Sequence, residues 1–225
     1  MGERSVSTSK ILRQGTISLI GLELGLAIAY FWGMVQRGSV PHLLNFNGLR
    51  TLPSLLQAIH LFAIGGLCLV LLMQRSRLHA PYSWYLPLAL ACLCLFGGLD
   101  ELTKLHLTFD QINWKFLYLG LLAAIPILSW RDLVWLWQIH RITLIRVATG
   151  MAIFLGGGFG AEFLKGAIAT TAAQNSAEVA AWAEYLRITL EEFAELCGET
   201  IILYAFAVFT VKLLTQPLPS ETHPA

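Results

Sequence analysis

The chain has 225 residues, 56% of them hydrophobic and 13% charged, with a formal net charge of +1. A mean hydropathy of +0.64 leaves too little charge to cover a water-soluble surface. The near-neutral balance, without a basic run or nucleic-acid motif, excludes a nucleic-acid partner and points to the lipid bilayer.

In chain order, the apolar stretches predict an all-α polytopic membrane bundle: about six spans of roughly 20 residues each, plus a short interfacial helix. Met1 to Thr16 is polar, and no small-residue cleavage site follows, so the first apolar run reads as a retained span over about 16–36. Further spans are expected at about 53–74, 83–105, 113–130, 143–167 and 186–214. Between the fourth and fifth, RDLVWLWQIHR places Trp135 and Trp137 among arginines, a pattern suited to the headgroup region. Residues 1–215 read as one integral membrane domain, and the proline-bearing tail 216–225 as disordered. Cys68, Cys92, Cys94 and Cys197 all lie in apolar runs, without a C-x-x-C pair, and read as buried free thiols.

Orientation follows from lysine and arginine placement. Arg4, Lys10, Arg13, Arg75, Arg77, Arg131, Arg141, Arg146 and Lys212 fall on one side, nine in all; Arg37, Arg50, Lys104, Lys115, Lys165 and Arg187 fall on the other, six in all. The bias predicts both termini in the cytoplasm.

The same span count brings the acids to one depth. The third span ends in Asp100, Glu101, Lys104 and His106, and the fifth in Glu162 and Lys165. The sixth opens with Arg187, Glu191, Glu192, Glu195 and Glu199, and the second enters beside them with His60 about two turns in. At 100° per residue the four glutamates of the sixth span share a stripe about 100° wide. Asp100, Glu101 and Lys104 share another, while His106 joins only where the helix unwinds. Seven acids against three bases leave an excess of negative charge in or near hydrocarbon. Like charges there cannot all stay ionised unaided. Protons, a cation or a water-exposed helix start must balance them.

Each feature has a plainer reading. Glu191 and Glu192 fit the first turn of a helix capped by Thr189. Glu195 and Glu199 lie too deep for that. Glu23 in the first span reads as a hydrogen-bond partner between helices or as an inward extension of a proton relay. The G-x-x-x-G of Gly156 and Gly160 predicts a close helix crossing.

Three functions remain open. Glu101, His106, Glu162, Glu191, Glu195 and Glu199, with Asp100 and His60 behind them, form a candidate site for a divalent zinc, iron or manganese ion serving a membrane hydrolase or redox enzyme. Neither H-E-x-x-H nor paired Glu-x-x-His motifs occur, so the metal rests on clustering alone. The alternatives are a proton- or cation-coupled transporter and an assembly subunit, working as a homo-oligomer or with a membrane-complex partner. LDELTKLH on one span and EEFAELCGE on a later one resemble uncharacterised bacterial multi-pass membrane proteins. That resemblance implies a shared site without naming an activity.

Overall fold

The computed structural model describes residues 2–46, 48–75, 82–105, 114–173 and 176–215. Helix α1 spans Gly2–Arg37, α2 Leu52–Gln74, α3 Tyr85–Thr103, α4 Trp114–Leu128, α5 Trp130–Ala173 and α6 Ala177–Thr215. A 3-10 turn at His42–Leu44 follows α1, and no strand occurs among the described residues. Among the described residues five helices are long and apolar enough to cross a membrane: α1, α2, α3, α6 and the Trp130–Gly158 part of α5. The sequence predicts six such helices. The fourth falls short because the 15 residues of α4 reach only about 22 Å, less than the roughly 30 Å hydrocarbon core. Its contacts still run the length of the bundle. Tyr118 meets Asp100 near the end of α3, and the Leu128 carbonyl lies 3.5 Å from the Tyr85 hydroxyl at the start of α3.

The bundle is held by α5 on α6, α2 on α3, and both α1 and α2 on α6. Helix α2 shows how its sequence does this. Thr51 and Ser54 cap its start reciprocally, with Pro53 in the first turn, where no backbone donor is needed. Its buried residues, Ser54, Gln57, Ala58, His60, Ile64, Gly65, Cys68 and Leu71, recur at helical spacing and change from polar to apolar along the helix. Helix α6 runs parallel to α2 with the matching order: Glu199 and Thr200, then Ile202, Ala205, Phe209 and Leu213. The interior thus has a polar half, near the start of α2 and the end of α3, and an apolar half beyond it. Leu71, Phe209 and Leu213 close the apolar end. At the other end Tyr30, Phe46, Ile188 and Leu196 anchor α1 to α6.

Four local expectations are corrected. Helix α6 begins at Ala177, because AEVAAWAEYLR is rich in helix-forming Ala and Glu. Thr189 is therefore mid-helix, its hydroxyl donating to the Tyr185 carbonyl at 2.6 Å, and Glu191 and Glu192 are not helix-start acids. The interfacial segment is not separate but continuous with α5, divided from it by non-helical backbone at His140 (φ −126°, ψ 37°). A methyl placed on Gly156 or Gly160 would meet nothing within 4 Å, whereas Gly150, Gly157 and Gly158 face α6. Of the four free cysteines Cys68 is buried, Cys94 and Cys197 are half-buried and Cys92 is exposed.

Candidate functional site

The polar half contains a line of side chains from three helices. Helix α1 contributes Glu23, α2 contributes Gln57 and His60 one turn apart, and α6 contributes Glu195, Glu199 and Thr200. Glu23, His60 and Glu199 are at most 2% exposed. The Thr200 hydroxyl donates to Glu23 Oε1 at 2.5 Å and lies 3.4 Å from His60 Nε2. His60 Nε2 is 3.8 Å from Glu23 Oε1, and on the other edge of the ring Nδ1 is 3.6 Å from Glu199 Oε2. Gln57 Nε2 donates to Glu195 Oε2 at 3.1 Å and is a close neighbour of Glu199.

Proton bookkeeping gives the line a polarity. The single hydroxyl hydrogen of Thr200 goes to Glu23, so His60 Nε2 can meet Thr200 only as the donor. In the neutral ring, Nδ1 is then an acceptor facing Glu199, whose carboxyl can supply a proton. Thr200 thus gives one hydrogen, to Glu23, and receives one, from His60. Glu23 Oε2, His60 Nδ1 and both oxygens of Glu199 are buried without a hydrogen bond. Buried polar atoms in such a state are costly and mark a place where chemistry is expected.

Toward the polar end the line meets a cluster of half-buried charges. Glu101 is an electrostatic neighbour of both Glu199 and Glu192, and Lys104 pairs with Glu101. Lys104 ends α3 in the left-handed conformation (φ 50°), its backbone N–H on the Asp100 carbonyl at 2.5 Å. Arg187 is held on its own helix by Glu184 and Glu191. Asp100 is buried against α4, accepting from the Tyr118 hydroxyl at 3.0 Å.

The predicted site residues therefore separate. Glu195, Glu199 and His60 gather inside, joined by Glu23. Glu101 and Glu191 lie half-buried at the polar end, and Asp100 faces α4. His106 lies outside the described residues, as does the Glu162 side chain. No three His, Cys, Asp or Glu side chains among the described residues are arranged to hold a metal ion. Sequence reasoning passes over Gln57, Thr200 and Tyr118, since neutral polar residues on apolar helices carry no charge signal. The spacing of Gln57 to His60 at i, i+3 is the available clue.

A family model described as a domain of unknown function (DUF8692) matches residues 19–211, a stretch that includes every residue of this line. No curated protein and no solved structure matches the chain.

Proposed function

The chain belongs to the DUF8692 family, and from that premise we propose that it is a proton-coupled membrane transporter whose proton site is Glu199, His60, Thr200 and Glu23. One observation carries the reading: buried groups with a consistent donor–acceptor order, leading inward from a cluster of half-buried charges that serves as the opening. A proton enters among Glu101, Glu192 and Glu195 and passes to Glu199. As Glu199 and His60 close to hydrogen-bond distance, the proton moves to Nδ1. His60 releases its Nε2 proton toward Thr200, and the hydroxyl hands its own to Glu23. Intramembrane carboxylates and imidazoles are costly in lipid, and their usual justification is an ion or proton path. With both termini cytoplasmic, as the lysine and arginine bias favours, the opening faces outward.

Two measurements on the full chain in vesicles test this. Infrared difference spectra across a pH range should show a carboxyl band that Glu199→Gln or Glu23→Gln removes. A trapped pH dye should report proton entry, down an imposed gradient, above that of protein-free vesicles. Glu199→Gln and His60→Gln should abolish that entry. The band without any flux would make the site a static proton store and sink the transporter reading. Absence of both would sink the site itself.

A further inference from the structure

The apolar half of the bundle holds a feature unrelated to the proton line. A cavity of about 410 Å³ opens between α3, α4, α5 and α6, a size typical of small-molecule sites. Apart from Tyr82, His140 and Thr143, every residue lining it is apolar. Helix α4 leaves this space because it touches α3 and α5 only lightly, and Pro126 interrupts its backbone bonding.

The wall on α5 has a shallow polar end and a deep apolar one. Irregular backbone at membrane depth is tolerated where it is covered by protein or lines a cavity, and the break at His140 lies on this wall. The His140 ring is held edge-on by Phe209 and Trp135. From Thr143 to Leu155 the wall runs twelve residues, about 18 Å of helix, against roughly 15 Å for one leaflet of a 30 Å core.

The rim is basic. Arg75 donates through Nε to the carbonyl of cavity-lining Tyr82 at 2.7 Å. Arg131 is exposed two residues before cavity-lining Leu133, and Lys212 is an electrostatic neighbour of His140. The acid among them, Asp132, is taken up by Ser83, whose backbone N–H donates to it at 3.1 Å and whose hydroxyl also bonds it. We propose that this cavity binds one acyl tail of an anionic phospholipid, its ester end at His140 and Thr143 and its headgroup among Arg75, Arg131 and Lys212. Length, apolar lining and rim charge all match that amphiphile.

The test is photolabelling of the full chain in vesicles. One set carries a phosphatidylglycerol with a diazirine in its tail, the other the same tail on phosphatidylcholine, and adducts are mapped by peptide mass spectrometry. Adducts should fall on Leu144–Leu155 and on α4, severalfold above those on Ile17, Leu24 and Ile28 of the exposed α1 face. The anionic lipid should label more than the zwitterionic one, and Arg131→Gln should remove that preference. Ala148→Trp, filling the cavity, should cut adducts there while leaving those on α1. Cavity labelling no stronger than on α1, or unaffected by Ala148→Trp, means annular lipid only and overturns the proposal. Equal labelling by both lipids overturns it too, and that comparison stands even if the tryptophan variant fails to fold.

Discussion

Two glycine pairs, Gly150 with Gly198 across the α5–α6 contact and Gly156 with Gly160 on α5, should respond in opposite directions to the same substitution. A methyl on Gly150 would lie 2.6 Å from the Gly198 carbonyl oxygen and 2.7 Å from Ile202 Cγ1; on Gly198 it would lie 2.6 Å from the Gly150 oxygen. Ordinary contact begins at 3.4 Å, so the helices must part by about 0.8 Å. A backbone oxygen cannot rotate aside as a side chain can. Overpacking of this kind costs about 1–3 kcal/mol, against a gain of about 1 kcal/mol in helix propensity. Gly150→Ala or Gly198→Ala should therefore lose up to about 2 kcal/mol. Gly156→Ala and Gly160→Ala, with nothing within 4 Å, should gain up to about 1 kcal/mol. Thermal unfolding of the detergent-solubilised chain reads this directly, at about 2–4 °C per kcal/mol. The double variant Gly150→Ala with Gly198→Ala should lose less than the two single losses together, because both methyls force the same gap. If Gly156→Ala proved as damaging as Gly150→Ala, the α5–α6 crossing would be misplaced, and with it the register that carries Glu199.

Thr200→Val keeps the shape but removes the hydroxyl between Glu23 and His60, a hydrogen bond worth about 1.5–3 kcal/mol to a charged partner. Proton entry into vesicles should fall to the level of Glu199→Gln while circular dichroism stays helical; unchanged entry would remove Thr200 from the path. Asp132→Ala unties Ser83 at the start of α3 and should cost about 1–2 kcal/mol, as the loss of a helix cap does. Its melting temperature should drop with proton entry intact, and a loss of entry would place this end on the route. Arg187→Gln breaks pairs with Glu184, whose side chain is 39% exposed, and Glu191, 15% exposed; the share lost with Glu184 should stay below about 1 kcal/mol and shrink with salt. A large, salt-insensitive loss in a melting curve would show that this pair is buried in a partner interface.

The sequence carried much of this arrangement, and its failures have physical causes. That Glu101, Glu195, Glu199 and His60 share a depth follows from counting spans, and the packing of α3 antiparallel to the parallel pair α2 and α6 has them at one end. Which side of a helix a small residue serves does not follow from spacing. Gly156 and Gly160 fit the close-packing pattern, yet the neighbours that touch α6 are Gly157 and Gly158. Hydropathy also misjudges ends. Residues 177–186 are polar enough to look like a loop, but Ala and Glu extend a helix regardless of hydropathy. Thr200 is hidden for another reason. A threonine in an apolar run is ordinary until the structure puts a glutamate from α1 and a histidine from α2 on either side of it.

The position of Glu23 constrains how any transport must work. On α2 the buried residues after His60 are Ile64, Gly65, Cys68 and Leu71; on α6 those after Thr200 run through Ile202 to Leu213, broken only by Thr210. From His60 to Leu71 is eleven residues, about 16 Å of nearly pure hydrocarbon, half the thickness of a bilayer core. A proton on Glu23 has no onward acceptor there, for the next buried polar atom on α6, the Thr210 hydroxyl, has no hydrogen bond of its own. The line thus meets half-buried charges at one end and hydrocarbon at the other, which under the transporter proposal makes it a site that loads from one side and must rearrange to unload. The rearrangement has to part α2 from α6, since those two helices supply the plug. The close Gly150–Gly198 contact ties α6 to α5, so under the transporter proposal α5 and α6 move together. The loosely held α4 and the cavity beside it lie along that same seam.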